Sequence, residues 1–98
     1  MSKTITLRVI TDQGLAIQDE AVSIVAPGTV GYLGILHNHA PLVTTLAPGR
    51  LRWRTPAGRQ QVRLISEGLL EIQCNRCTVL TRNVSEQAAS AKDSRDVL

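Results

Sequence analysis

Ile5, Leu7 and Val9 alternate with Thr4, Thr6 and Arg8, a period of two that predicts a strand with one buried face. Asp12-Gln13-Gly14 reads as a turn, and Leu15-Ala16-Ile17 opens a returning strand. Val22, Ile24 and Ala26 then alternate with Ala21, Ser23 and Val25 until Pro27-Gly28, which is expected to break the run. The clearest alternation lies at 50–54, where Leu51 and Trp53 face one way and Arg50, Arg52 and Arg54 the other. Pro56-Ala57-Gly58 predicts a hairpin leading into Val62 and Leu64, which alternate with Gln61, Arg63 and Ile65. Leu70, Ile72 and Cys74 alternate with Glu71 and Gln73, and a last strand runs from Cys77 to Thr81. Turn signals every 8–12 residues or so predict an all-β sandwich or barrel.

From Ser85 the composition changes. Ser85-Glu86-Gln87 offers a helix N-cap with acid in the first turn, followed by Ala88-Ala89-Ser90-Ala91. The expected division is a β domain over residues 1–84 and a short tail over 85–98, frayed or the stub of a helix.

A chain of 98 residues holds one domain. With 43% hydrophobic and 19% charged residues it suits a small packed core, not a disordered segment. Its apolar runs are too short for a membrane-spanning helix, and Met1-Ser2-Lys3-Thr4 lacks the apolar stretch of a secretion signal, so the chain reads as cytosolic. With no Phe, the core must be built from Ile, Val and Leu. The only lysines are Lys3 and Lys92, which excludes a P-loop or Schiff-base lysine between them. Formal net charge is +3, and no acid stands between Glu20 and Glu67, where Arg50, Arg52, Arg54, Arg59 and Arg63 fall. Such a block suits either a solvated strand face or an anionic partner.

The candidate chemistry is sparse. Cys74-Asn75-Arg76-Cys77 has the spacing of zinc and redox motifs, but strands on both sides make it a hairpin turn. Asn75 suits positive φ there, Arg76 fits a type I′ turn poorly, and a bulged or longer turn is equally open. His37-Asn38-His39 could nominally complete a metal site, yet HxH is not the usual separation for such ligands, and two reduced thiols near a turn is the favoured reading. Ser66 stands in Ser-Glu-Gly beside no base, and Asp19 and Glu20 point to opposite faces of a strand. Gly28, Gly31 and Gly34 precede no helix that would aim at a phosphate, and they read as positions for bends and bulges. No active site, cofactor or metal is expected. Nucleic-acid binding through the arginine strand lacks the aromatic stacking platforms such domains use, since the aromatics are Tyr32 and a core-facing Trp53.

The stretch Ala26-Pro27-Gly28-Thr29-Val30-Gly31-Tyr32-Leu33-Gly34-Ile35-Leu36-His37-Asn38-His39-Ala40-Pro41-Leu42 resembles the signature of the epsilon subunit of F-type ATP synthases. That pattern is an Ala-Pro-Gly turn, a Gly-x-Leu-Gly-Ile run and then Pro-x-His-Ala-Pro-Leu. Leu46-Ala47-Pro48-Gly49-Arg50-Leu51-Arg52, Ser66-Glu67-Gly68-Leu69-Leu70-Glu71-Ile72 and Asn75-Arg76-Cys77-Thr78-Val79-Leu80 are similar to later family segments, in order, over residues 3 to 83.

The resemblance implies a β-sandwich of about ten strands at the foot of a rotating central stalk. It would be held by the gamma subunit, rest on the polar loops of the c-ring and carry no catalytic residue. It would lie peripherally on the cytoplasmic face of a bacterial inner membrane or another coupling membrane, without inserting. The segment Val30 to Pro41 is expected to face the ring as one loop, with Tyr32, His39, Ala40 and Pro41 as contacts. His39 falls on the family's His; Tyr32 stands where many members carry an acid, and His37 where they carry Pro. Members usually continue into a helical hairpin that restrains hydrolysis and, in some, binds ATP. Asp93-Ser94-Arg95-Asp96 does not match its opening, so neither the brake nor ATP sensing is expected. The alternative reading is a free-standing interaction module that takes an anionic partner, such as a nucleic acid, through Arg50, Arg52 and Arg54.

Overall fold

The computed structural model describes residues 3–85, and every regular element among them is a strand. They are β1 (Ile5–Thr11), β2 (Gly14–Ala21), β3 (Ser23–Gly28), β4 (Gly31–Leu36), β5 (Leu42–Leu46), β6 (Gly49–Arg54), β7 (Gln60–Ile65), β8 (Gly68–Gln73) and β9 (Arg76–Thr81). The described residues thus hold nine strands and one isolated bridge, Ile65 to Val84. The helical stub expected beyond Ser85 lies outside them. Ser85 itself is attached to β7: its amide donates to the Leu64 carbonyl and its hydroxyl accepts from the Leu64 amide.

Hydrogen-bonded neighbours run β2-β1-β9-β8-β5 and β4-β3-β6-β7, and the single pair Gly28–Leu46 joins the two series. A five-stranded and a four-stranded layer therefore face each other as a sandwich. All pairs are antiparallel except β1 with β9, which brings the first strand beside the last.

Alternation explains the core. Ile5, Leu7, Val9, Ile24, Leu51, Leu70, Ile72, Cys77 and Val79 are buried between the layers, with Trp53 the one aromatic among them. At the edge, Asp19 of β2 points inward and accepts from the Trp53 indole N–H at 2.8 Å. Its neighbour Glu20 points outward and accepts from the hydroxyls of Thr4 and Thr6, as a period of two requires.

Three departures from the sequence pattern have local causes. Pro27-Gly28 does not end a strand; β3 runs through both residues, and Thr29-Val30 forms the tip of a hairpin closed at Gly28–Gly31. Pro27 stands beyond the last β6 partner of β3, where its missing amide costs no ladder bond to that strand, and its carbonyl accepts from Ala47 N at 2.8 Å. Gly31 takes φ +138°, a backbone closed to side-chain-bearing residues. Between Val9 and Ile10 the register with β2 slips by one residue, so Ile17 joins the core while Leu15 is turned outward beside Ile10. Finally, Val62 and Leu64 share a face, and the register Arg52–Val62 sets it on the side of the arginines, where Val62 is still buried but Leu64 is exposed. The inner side of β7 holds Ile65 and Arg63, whose guanidinium lies over the Trp53 ring, 5.4 Å from its centroid.

Candidate partner-binding surfaces

The turn of Cys74 and Asn75 sits between Gln73 and Arg76, one residue earlier than Asn75-Arg76, the pair first considered for it. Both central residues have positive φ, 51° and 59°, the requirement of a type I′ turn. Arg76 is therefore a strand residue and its poor turn chemistry is immaterial. Cys74 is exposed and Cys77 buried on β9, and both are free thiols. Burial pushes the Cys77 thiol up to about 12, so it stays protonated and unreactive. Among the described residues no three His, Cys, Asp or Glu side chains converge as metal ligands.

Asn75 also organises the loop after β4. Its carboxamide accepts from Asn38 N at 2.6 Å and donates to the Asn38 side chain at 3.1 Å, while its carbonyl accepts from Thr6 N. Asn38 itself has φ 69°. Next to it, the amide of His39 donates to the Leu36 carbonyl, and its Nδ1 donates to the Ala40 carbonyl at 2.7 Å. His39 is half-buried, and Ala40 and Pro41 are exposed.

Residues 30–41 do not form the single loop expected of them. Residues 31–36 are β4, and they separate Tyr32 from His39, Ala40 and Pro41. The strand spans about 13 Å from Tyr32 to Leu36 at ~3.3 Å per residue. Tyr32 belongs to the end of the sandwich bearing the Thr29-Val30 tip, where Val30 is 99% exposed. His39, Ala40 and Pro41 belong to the opposite end, beside the Cys74-Asn75 turn.

The outer face of the four-stranded layer carries the arginine strand. Registers put Tyr32 and Leu36 of β4, Val25 of β3, Arg50, Arg52 and Arg54 of β6, and Val62 and Leu64 of β7 on this one face. Tyr32 lies against Gly49, where a Cβ would come within 3.2 Å of its hydroxyl. That hydroxyl accepts from Arg50 N at 3.4 Å, and Arg52 sits over the ring, 5.9 Å from its centroid. Tyr32 is thus held across the sheet and not extended from a loop. Arg54 is exposed, and Arg50 and Arg52 are half-buried.

The outer face of the five-stranded layer contains a surface that sequence reasoning missed. Val43 of β5, Leu69 of β8 and Leu80 of β9, with Glu71 and Thr78, line a shallow apolar depression. Val43 is 67% exposed and Leu80 45%. Leu69 pairs with Leu80, and Ile10 and Leu15 extend the same face. The signal lay in adjacent apolar pairs, Leu69-Leu70 and Val79-Leu80, which give a strand two apolar faces instead of one.

Comparison with known proteins agrees with this architecture. Residues 4–87 match the family described as ATP synthase, Delta/Epsilon chain, beta-sandwich domain. The chain is 31% identical over 87 residues to the ATP synthase epsilon chain of Desulfosudis oleivorans, covering 89% of this chain and 65% of that one. It is 39% identical over 77 residues to the ATP synthase epsilon chain of Psychrobacter cryohalolentis, covering 79% and 56%. It therefore spans less than two thirds of these relatives. In fold it is similar to a chain of the Euglena gracilis mitochondrial ATP synthase OSCP/F1/c-ring structure, with a TM-score of 0.81, 21% identity, and coverage of 99% of this chain and 63% of that one. A chain of the Tetrahymena thermophila mitochondrial ATP synthase central stalk/c-ring structure aligns with a TM-score of 0.70 at 17% identity, covering 86% and 66%. With a family match across nearly all the described residues and a sandwich that agrees with it, the chain belongs to the ATP synthase delta/epsilon family through its β-sandwich domain.

Proposed function

We propose that this chain is a non-catalytic subunit of the central stalk of an F-type ATP synthase, joining a gamma-type subunit to the c-ring. The observation that carries the reading is the apolar depression of Val43, Leu69 and Leu80 on the outer face of the five-stranded layer. Exposed apolar side chains grouped on hydrogen-bonded interior strands suit a stable protein contact. The gamma-type subunit is assigned to this face, together with His39, Ala40 and Pro41, which lead directly into Val43. The ring contact is assigned to the other end of the sandwich, with Tyr32 and the Thr29-Val30 tip. Membership of the family supports peripheral association with a coupling membrane, on the cytoplasmic side in a bacterium.

The body itself suits mechanical coupling, because a close-packed aliphatic interior deforms little under load. The test is co-expression with a bacterial gamma subunit, followed by affinity purification of the 98-residue chain. The native chain retains gamma, and Val43→Asp with Leu80→Asp abolishes retention without changing the melting temperature by more than a few degrees. Tyr32→Ala leaves gamma retention intact. Failure of the native chain to retain gamma, or retention by the double variant, overturns the reading.

A further inference from the structure

The apolar depression of Val43, Leu69 and Leu80 continues into a polar one. Glu71 and Thr78, at its margin, also line a second depression with Arg8, Gln73, Cys74 and Arg76, beside the Cys74-Asn75 turn. Alternation with the buried Leu7, Val9, Cys77 and Val79 sets Arg8, Arg76 and Thr78 on the outer face of the five-stranded layer. Arg8 pairs with Thr78 and Thr6 with Arg76, so the two arginines stand one strand and two residues apart, about 8 Å between Cα atoms. Glu71 pairs with Thr78 from the other side, which places it across β9 from Arg8. It is the one carboxylate among the described residues at this depression, which two guanidiniums leave with a net positive charge. Among the described residues no side-chain hydrogen bond or ion pair holds Arg8, Arg76 or Glu71.

We infer that the gamma-type subunit sets a carboxylate-bearing segment against Arg8 and Arg76, so that this polar half of the face governs the rate of docking while the apolar half sets the lifetime of the complex. The inference rests on the assignment of gamma to this face, and adds the charge that the partner segment carries there. Two guanidiniums this close repel each other until an anion stands between them, and each offers a fork of donors that matches a carboxylate. A basic segment would meet two cations for one acid, so one sign of partner fits. Arg76 is exposed and Arg8 half-buried. At such a wet margin an ion pair contributes little to affinity, but it steers the encounter and makes its rate depend on salt. Val43, Leu69 and Leu80 lose water when covered, and that loss is expressed in slow dissociation. Because the two depressions share Glu71 and Thr78, one partner surface covers both.

The test follows association and dissociation of the full chain on an immobilised bacterial F1 complex lacking its own epsilon chain, by surface plasmon resonance between about 50 and 500 mM salt. The expected result is an association rate that falls at least tenfold over that range, with dissociation changed less than threefold. Arg8→Glu with Arg76→Glu slows association at least tenfold at the lower salt and removes the salt dependence, while Lys at both positions keeps more than half of the rate. Arg76→Glu alone, at an exposed position, slows it at least threefold. Glu71→Gln speeds association at least twofold, because it removes the one charge that repels an acidic segment. Leu80→Ala acts instead on dissociation, at least threefold faster. Exposed Cys74 reports cover of the depression: its alkylation, read by mass spectrometry, slows at least fivefold in the complex. Circular dichroism melts establish that each variant is folded, and the native salt dependence needs no variant. Association that ignores salt, charge-reversed arginines that dock at the native rate, or unchanged Cys74 alkylation overturns the inference and leaves the gamma assignment standing. Slower association of Glu71→Gln does the same, since it makes the partner segment basic. So does a tenfold slowing by inorganic phosphate at fixed ionic strength, which makes the depression a site for a free anion. Absence of binding by the native chain overturns both.

Discussion

Asp19→Ala is the substitution that tests how this aromatic-poor core is held. The Trp53 indole is 2% exposed, and its N–H has one acceptor, Asp19 Oδ2 at 2.8 Å. Truncating Asp19 leaves that donor buried without a partner and also removes an acceptor for the Glu20 amide. A hydrogen bond to a charged acceptor contributes about 1.5–3 kcal/mol, and the orphaned donor places the loss at the upper end, about 2–3 kcal/mol. In a domain of this size each kcal/mol moves the melting temperature by roughly 4–8 °C, so a fall of about 10–20 °C is expected. The assay is urea unfolding followed by circular dichroism, run as a double-mutant cycle with Trp53→Phe. Phenylalanine has no N–H to strand, so Asp19→Ala in that background costs about 1 kcal/mol or less. Losses from Asp19→Ala that are equal in both backgrounds, or below about 0.5 kcal/mol in the native one, refute the reasoning.

Gly68→Ala places a Cβ against the backbone carbonyl oxygen of Leu80, which cannot swing aside, and loses at least about 2 kcal/mol by thermal melting; Gly34→Ala meets nothing within 4 Å and gains about 0.5 kcal/mol. Asn75→Gly keeps the positive φ and loses the two bonds to Asn38, costing about 1 kcal/mol, whereas Asn75→Ala adds left-handed strain and costs about 2, read from the same melts. For Cys77 the sign follows from a thiol pushed up from 9.0 to about 12 by burial. Its folded pKa exceeds the unfolded one, so its contribution is complete below pH 9 and is lost as pH rises from there towards 12. Unfolding free energy measured at pH 9.5 and 10.5 should fall more steeply for the native chain than for Cys77→Ala, by about 1.4 kcal/mol per pH unit.

Much of the fold was legible because alternation is a local property. Ile5, Leu7 and Val9, or Leu51 and Trp53, announce their buried face from neighbours two residues away. What was not legible depends on pairing across strands. The slip between Val9 and Ile10 that exposes Leu15 is invisible until β2 is set against β1. The face taken by Val62 and Leu64 is decided by the register with Arg52, not by their own spacing. Pro27-Gly28 read as a break because both residues are locally poor strand formers, and the structure tolerates them where the β6 ladder has already ended. The candidate site fared in the same way. Tyr32 and His39 are seven residues apart in sequence, which suggests one loop, and a strand of six residues carries them to opposite ends. Val43, Leu69 and Leu80 come from three strands, and no linear motif unites them.

The placement of these surfaces bears on how such a small body could transmit force. The depression of Val43, Leu69 and Leu80 lies on β5, β8 and β9, and both β8 and β9 are hydrogen-bonded along two edges. A load applied there is shared at once with β1 through the parallel ladder and with β5 through the antiparallel one. The two layers, by contrast, are joined through the backbone at two places: the pair Gly28–Leu46, helped by bonds from Thr29 and Ala47, and the bridge from Ile65 of β7 to Val84 after β9, helped by bonds from Ser66 to Asn83 and from Ser85 to Leu64. Away from these joints, layer-to-layer stiffness comes from interdigitated side chains, and the branched aliphatic residues that dominate this core have few rotamers to give way. The Asp19–Trp53 bond reaches across the same gap, from β2 of one layer to β6 of the other. Weakening it loosens the contact between the layers where β2 meets β6.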